Sequence, residues 1–269
     1  MKSNLAKIFR IQKFLDGIKY PDSYRIGREI TKYLTKNKRA NEEKILRRLH
    51  DSEPWEYIRG DSEFCENTFK VTKDTLIPRI ETEQLVYECK EILEKEKIKN
   101  VIDVGTGSGC IIISLAYLLK KPTYSFFATD ISTNALNVAK KNELEILKKK
   151  RIKWMKSDLV SRIPELKGST LLVANLPYIP TKQYEELDTS VKRYEPRAAL
   201  DGGKDGLKYY EELLEQLKSK KINLKVIYLE TEESIFLKTK KLVKRYYPKS
   251  NILEIKDVFE KKRFLKITL

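Results

Sequence analysis

The sequence predicts an α/β protein in which a parallel sheet wrapped by helices follows a small helical domain. Three observations carry that prediction. Up to about Ile58 the apolar residues recur at helical spacing, as in Ile8, Ile11, Phe14 and Leu15. After Asn100 strand-like apolar runs alternate with helix-like ones, the order expected of strands joined by crossover helices. Where the first of those strands gives way to its helix stands a glycine-rich turn, "DVGTGSG". A chain of 269 residues can bury a substantial core and suits one large domain with a smaller one attached. The expected division is a helical domain over 1–62, a hairpin or linker over 63–75 and an α/β domain over 76–269.

The elements follow in order. "EEKILRRLH" repeats the helical spacing of the first segment. In "GDSEFCENTFKVTKDTLIPR", Phe64 and the "TFKV" run flank a turn-forming Glu-Asn, which reads as a hairpin or an extended linker. "ETEQLVYECKEILEKEK" restores helical periodicity. Then come "VIDV" as strand, "CIIISLAYLLK" as helix, "YSFFATD" as strand and "STNALNVAKKNELEIL" as helix. "RIKWMKSD", "STLLVANLPY" and "INLKVIYLE" read as further strands. "SNILEIKDVFEKKRFLKITL" reads as a closing pair of strands. No internal repeat or low-complexity segment is visible.

Composition narrows the class. Apolar residues make up 41% and charged residues 35%, a balance of folded rather than disordered chains. The longest apolar run, "CIIISLAYLL", is too short to span a bilayer. The formal charge of +16 leaves two readings open: an anionic partner drawn by clustered lysines, or a lysine-rich surface. Lysines mix with glutamates along the chain, as in "EILEKEKIKN", which is the pattern of solvated helix surface. Cys65, Cys89 and Cys110 lack the spacing of a zinc site and cannot all pair, so a reducing compartment is expected. The start, "MKSNLAKIFRIQKF", is basic and free of acids; an organellar leader and a first amphipathic helix both fit it.

Glycines at 105, 107 and 109 tolerate the backbone angles of a strand-to-helix turn and let a ligand approach the main chain. The spacing differs from the dinucleotide fingerprint, and no Lys-Ser/Thr follows as a phosphate loop requires. The next strand ends in Asp130, where α/β nucleotide sites use an acid to accept hydrogen bonds from ribose hydroxyls. Together the two features resemble the S-adenosylmethionine site of class I methyltransferases, a Rossmann-like fold. The competing readings are a turn needed only for packing and an aspartate that caps the helix beginning near Ser132. Asp158, after the third strand, fits the same site opposite the adenine amino group, or serves as a helix N-cap.

"VANLPYIP" follows the fourth strand, and ligands of such sheets sit beyond the strands' carboxyl ends. That points Asn175 toward the methyl donor. An amide or aromatic amine is a poor nucleophile because its nitrogen lone pair is delocalised. Two acceptors that bind both N–H bonds localise the lone pair and aim it. The Asn175 side-chain oxygen supplies one and the Leu176 carbonyl the other, while Tyr178 can stack on a planar group. The bland alternative is a proline-stiffened loop with a capping asparagine.

Four blocks, "EPWEYIRGDSEFCENTFKVTKDTLIPRIETEQLV", "VIDVGTGSGCI", "NLPYIP" and "YEPRAALDGGKDGLKYY", resemble the protein-(glutamine-N5) methyltransferases of peptide-chain release factors, the HemK/PrmC family. The resemblance runs from about Glu53 to the C-terminus, and a helical N-terminal domain for substrate recognition fits it. It implies methyl transfer from S-adenosyl-L-methionine, without metal, to the glutamine of a Gly-Gly-Gln tip, in the cytoplasm, by a monomer that needs no nucleic acid. Carried over by position, Asp103, Gly105, Thr106, Gly107, Ser108 and Gly109 would line the cofactor with Asp130, Asp158, Leu159 and Asn175. Asn175, Leu176, Pro177 and Tyr178 would form the catalytic clamp on the substrate amide. Arg79 and Glu83 would lie near the substrate mouth, and Arg197 would brace the clamp loop or sit in a buried ion pair. Leu176 replaces the family's first proline, keeping the carbonyl while freeing φ and adding an N–H. Leu159 stands where an aromatic residue often follows the aspartate. Asn-Leu-Pro-Tyr also resembles the motif of ribosomal RNA adenine dimethyltransferases, but "TLIPRIETE", "EPRAALDGG" and the placement of the helical domain do not. A ribosomal-protein glutamine methyltransferase and a non-catalytic cofactor-binding adaptor complete the alternatives.

Overall fold

The structure, a computed structural model, describes residues 2–119 and 123–269. Lys120, with which the expected first crossover helix closes, lies outside the described residues. The chain forms two compact units, one reaching Gly60 and including Asp188–Tyr194, the other made of Asp61–Leu187 and Glu195–Leu269. Asp188–Tyr194 thus joins the helical unit, although by sequence it falls within the expected α/β domain.

In the helical unit, α1 (Lys2–Gly17), α2 (Ser23–Lys36), α3 (Glu42–His50) and α4 (Trp55–Arg59) each contribute buried apolar side chains to one core. Ile11, Leu15, Ile26, Ile30, Leu49 and Trp55 form its core. The Trp55 indole N–H donates to Glu29 Oε2 at 2.9 Å, and Tyr33 meets the ring edge-on at 5.5 Å. Asn41 caps α3, accepting the Lys44 N–H at 3.0 Å.

The second unit opens with β1 (Asp61–Phe64) and β2 (Asn67–Lys70), antiparallel. The hairpin turns on Cys65 and Glu66, whose φ angles of 45° and 60° are both positive, as a two-residue turn demands. The turn therefore sits one residue earlier than the expected Glu-Asn. Asn67 begins β2 and its amide donates back to the Cys65 carbonyl at 2.8 Å. After α5 (Ile80–Lys95) the main sheet is built from β3 (Asn100–Val104), β4 (Ser125–Asp130), β5 (Ile152–Lys156), β6 (Leu166–Ala174), β7 (Ile222–Glu230), β8 (Asn251–Lys256) and β9 (Lys262–Thr268). Its order is β5-β4-β3-β6-β7-β9-β8. The first five are parallel, and β9 runs antiparallel to both neighbours. This is the class I methyltransferase fold expected from the sequence, with the closing strand pair in place.

Alternation along β3 sends Val101 into one core with Leu85, Ile112 and Phe126, and Ile102 into another with Leu172, Leu213 and Ile227. α6 (Cys110–Leu118) covers the first face, and α10 (Lys208–Ser219) and α11 (Phe236–Tyr246) cover the second. The sequence reading placed none of α8 (Thr181–Glu186), α9 (Thr189–Tyr194), α10 or α11. The register is what positions the site: Val104 pairs with both Thr129 and Ala174, and Ala174 with Leu229. The segments after β3, β4, β6 and β7 consequently leave the sheet at one edge.

One buried amide ties that edge together. Asn142, on α7 (Thr133–Leu147), accepts the Lys70 N–H at 2.7 Å and donates to the Lys70 carbonyl at 3.0 Å and the Ser108 carbonyl at 2.9 Å. Replacing it removes the partner of three backbone groups, of which the Ser108 carbonyl is bonded in a buried setting. Asn142→Ala is expected to lower stability by about 2–4 kcal/mol, measured as the shift in a urea unfolding curve. A loss below about 0.5 kcal/mol would show that those groups find other partners.

Candidate functional site

The glycine turn begins where β3 ends. The Gly105 and Thr106 N–H groups both donate to the Thr129 carbonyl at 2.9 Å, which folds the loop over the end of β4. Gly105, Gly107 and Gly109 have φ of 71°, 55° and 81°. Their surroundings differ. A Cβ on Gly109 would lie 2.8 Å from Ile113 and 3.0 Å from Trp154, so this glycine serves packing. One on Gly105 would lie 3.0 Å from the Leu176 side chain, while one on Gly107 would meet nothing within 4 Å. Open space above Gly107 is where a ligand can reach the main chain. Thr106 and Ser108 are buried; the Thr106 hydroxyl donates to Asp103 Oδ2 at 2.6 Å. Asp103 Oδ1 is buried without a partner, and burial pushes this carboxyl up to about 7.

Asp130 ends β4 with each carboxyl oxygen holding one backbone N–H: Gly107 to Oδ2 at 2.9 Å and Ser132 to Oδ1 at 2.8 Å. Burial raises its pKa, and the N–H groups of Ser132, Gly107 and Ile131 pull against that rise. The cap of α7 is Ser132, whose hydroxyl accepts the Ala135 N–H at 3.2 Å. Asp130 therefore braces the glycine loop, and its remaining lone pairs suit a diol. Asp158 is exposed, and the local N–H of Arg162 goes to the Ser157 hydroxyl at 3.0 Å instead. Leu159 has a φ of 44° and buries its side chain among Val160 and Ile163. Only its backbone is left to face a ligand.

Past β6 the chain runs Asn175, Leu176, Pro177, Tyr178. The Asn175 amide nitrogen donates to the Thr82 hydroxyl at 3.3 Å, which leaves the oxygen as the available acceptor. Leu176 is buried, and Pro177 and Tyr178 are half-buried. Burial raises the Tyr178 hydroxyl pKa, reinforced by the nearby charge of Glu230. Behind this segment lies "LDGGKDG". Ile179 donates to the Leu200 carbonyl at 3.0 Å, and Gly202 donates to the Ile179 carbonyl at 2.8 Å. A Cβ on Gly202 would come within 2.7 Å of the Pro177 carbonyl, and one on Gly206 would come closer still to the Tyr178 carbonyl. Only glycines permit so close an approach.

Arg79 donates to Glu195 at 2.6 Å, and the same buried carboxylate accepts the Ile77 N–H at 3.3 Å. Glu195, not Arg197, is thus the partner that joins "LIPR" to "YEPR". Arg197 is exposed, paired with Asp201 at 2.9 Å and stacked over Tyr184 at 4.7 Å, so the buried-pair reading fails for it. Glu83 is half-buried and accepts the Cys65 N–H at 3.0 Å, holding the hairpin turn. The residues brought together at the sheet edge are Asp103, the glycine loop, Asp130 and Asn175–Tyr178. Residues that sequence reasoning passed over include Thr82, Glu195, Gly202, Gly206 and Glu230. The glycine pair and Glu195 belong to the "YEPRAALDGGKDGLKYY" motif, whereas nothing local distinguishes Thr82 or Glu230.

The family model of the Methyltransferase small domain matches residues 85–191. The chain is 34% identical over 229 residues to a release factor glutamine methyltransferase of Flavobacterium psychrophilum, covering 84% of this chain and 79% of the relative. It is 44% identical over 161 residues to one of Moorella thermoacetica, covering 60% of this chain and 56% of that relative. Among solved structures it resembles the human Mettl16 catalytic domain in complex with a MAT2A 3'UTR hairpin, with a TM-score of 0.54, 16% identity, and 86% of this chain and 94% of that one covered. The N-terminal domain of human METTL16 in complex with SAH gives a TM-score of 0.50 at 19% identity, over 74% of this chain and 75% of that one. Identities this low show the fold alone.

Two buried acids at this edge set a pH dependence. Burial raises Asp103 to about 7 and also Glu230, at the end of β7, to about 7. A carboxyl raised in the fold binds its proton more tightly folded than unfolded. From the ordinary carboxylate range up to about 7 the folded state then carries more protons, so stability falls as pH rises and levels off above that window. The expected result is a melting temperature that drops between about pH 4 and 7, with a shallower drop for Glu230→Gln. A melting temperature rising across that window would contradict the assignment.

Proposed function

The chain belongs to the release factor glutamine methyltransferases, and from that premise we propose that it methylates the side-chain amide nitrogen of the glutamine in the Gly-Gly-Gln tip of a peptide-chain release factor. The observation that carries the site assignment is the Asn175 amide at the end of β6, its nitrogen occupied by Thr82 and its oxygen left to accept. In this reading Asn175 Oδ1 and the Leu176 carbonyl each take one N–H of the substrate amide. Holding both N–H bonds turns the nitrogen lone pair out of conjugation and fixes its direction. Pro177 and Tyr178 wall the slot, and the glycines behind them keep it from widening. The methylated nitrogen then gives its extra proton to water.

S-adenosyl-L-methionine, when bound, supplies an electrophilic sulfonium methyl group. The residues fit it: Asp130 offers acceptors for the ribose hydroxyls, Gly107 offers open backbone, and the orphaned Asp103 Oδ1 suits an ammonium group. The remaining loop residues Gly105, Thr106, Ser108 and Gly109 shape the turn. Asp158 and the Leu159 backbone would face the adenine. Arg79, tied to Glu195, would hold the rim of the substrate mouth, while Glu83 acts on the same rim through the hairpin turn it holds. We assign the helical domain to recognition of the release factor, and the reaction to the cytoplasm, carried out by a monomer with no nucleic acid required.

The deciding assay supplies labelled methyl donor with release factor, ribosomal protein or ribosomal RNA in separate reactions and locates the label by mass spectrometry. Label on the Gly-Gly-Gln glutamine is expected. Label on RNA adenine alone would overturn the assignment. Asn175→Ala should reduce turnover by about 10²- to 10³-fold, the scale set by removing one preorganised hydrogen-bonding group from a transition state, with cofactor affinity near the parental value. Parental turnover would reduce the clamp to a loop. Asp130→Ala should weaken binding of the cofactor and its demethylated product by about 1.5–3 kcal/mol in calorimetry, because a charged acceptor is removed.

A further inference from the structure

We propose that the turn joining β8 to β9 carries a docking surface, Val258 and Phe259, for an apolar patch of the release factor beside its glutamine tip. This rests on the glutamine-methylating reading and deepens it. Single apolar residues on a protein surface are ordinary. Val258 and Phe259 are adjacent, 63% and 58% exposed, and held by a turn built around a buried acid.

That acid is Asp257. Its Oδ1 accepts the Phe259 N–H at 2.9 Å and the Lys261 N–H at 3.0 Å, and its Oδ2 accepts the Arg263 Nε–H at 3.1 Å. The backbone closes the same loop: the Asp257 N–H donates to the Lys261 carbonyl at 2.8 Å, and the Glu260 N–H to the Asp257 carbonyl at 2.9 Å. Burying a carboxylate costs stability unless it is paired and hydrogen-bonded. Here the pairing goes into fixing a turn whose tip is apolar. The tip is therefore ordered before a partner arrives, which lowers the entropic cost of binding.

The fold puts this turn at the site. Ala174 pairs with Leu229 and Glu230 with Phe264, so Asn175, Glu230 and Phe264 stand level across β6, β7 and β9 at one edge of the sheet. The turn leaves that same edge, two strands over from β6. At ordinary strand spacing it stands about 10–15 Å to the side of Asn175. The start of α5 spans the interval: Thr82 accepts from the Asn175 amide, and Gln84 donates to the Lys256 carbonyl at 2.9 Å, at the root of the hairpin. Ile80, one turn before Gln84 on the same helix face, is also exposed. A glutamine that reaches Asn175 is carried by a protein far wider than the slot, so the surface beside the slot is covered when substrate binds. Most of the hairpin's cations are matched internally: Lys256 pairs with Glu260 at 3.0 Å, Lys262 with Glu254 at 2.8 Å and Arg263 with Asp257 at 3.1 Å. The turn thus offers apolar surface more than charge, which favours a protein patch over a phosphate backbone.

The test measures initial rates of the full chain over a range of release factor concentrations at saturating S-adenosyl-L-methionine. The double variant Val258→Ser, Phe259→Ser should raise KM for release factor about 5- to 30-fold and leave kcat within about twofold. Affinity for S-adenosyl-L-homocysteine in calorimetry should be unchanged. Phe259→Leu keeps apolar bulk and should stay near the parental KM. A parental KM in the double variant, or a loss confined to kcat, would overturn the proposal. So would a parental enzyme that is dimeric by light scattering and becomes monomeric with the two serines, which would assign the pair to a second copy of this chain. Both side chains are exposed, so the melting temperature should hold; if it falls, Phe259→Ser alone decides by the same KM. Release factor left unlabelled by the parental enzyme would overturn the glutamine reading and this proposal with it, whereas a parental KM in the variants overturns this proposal alone.

Discussion

The approach of one backbone to another, with no room for a side chain between them, is the constraint on which the site depends. Gly202 and Gly206 let "LDGGKDG" lie directly against the carbonyls of Pro177 and Tyr178. The Ile179–Asp201 bridge and the Thr181 hydroxyl bond to Asp201 at 2.8 Å extend the contact into a short ladder. A loop that leaves a strand is ordinarily among the softer parts of a fold. Here it is pinned along its length. In the proposed clamp, a motif block far from the cofactor loop would thereby keep two acceptors at a fixed separation. Glu195 does comparable work on the other flank, where one buried carboxylate accepts from both Arg79 and the Ile77 backbone.

Electrostatically the sheet edge is built against the rest of the molecule. The chain carries a formal +16, yet Asp103 and Glu230 are buried acids whose carboxyls burial holds up near neutrality. Lysines instead populate the surface, as in the exposed pairs Lys90–Glu94 and Lys95–Glu91 along α5. Exposed pairs of this kind contribute little to stability. Buried acids at a site for a cationic ligand are a different matter, because they cost stability in the empty protein and recover it on binding.

The fold was legible because its signals are local and periodic. "VIDV", "INLKVIYLE" and the closing strand pair needed only alternation and turn residues, and the helix spacing before Ile58 needed no tertiary help. The position of Asn175, at the carboxyl end of an apolar strand, was legible from "VANLPYIP" alone. What escaped was relational. Thr82 and Asn175 sit 93 positions apart and meet only through the placement of α5 beside the end of β6. α10 and α11 carry ordinary amphipathic spacing in stretches to which the sequence reading assigned no helix. Leu159 shows a limit of reasoning by position: an apolar residue at a site position turned its side chain into the core and left only its backbone there.

In the proposed site, the contact between Leu176 and Gly105 would give the cofactor and substrate sides a common wall. The Leu176 side chain stands 3.0 Å from where a Cβ on Gly105 would be, so the glycine loop after β3 and the segment after β6 pack directly against one another. A proline in place of Leu176 would reach less far across that gap. On the proposed site assignment, a ligand that drew the glycine loop inward would change the affinity of the segment after β6 for its own ligand, and the second would return the same factor to the first. On that assignment the side chain that breaks the family's proline pattern would be the element through which donor and acceptor sites feel one another.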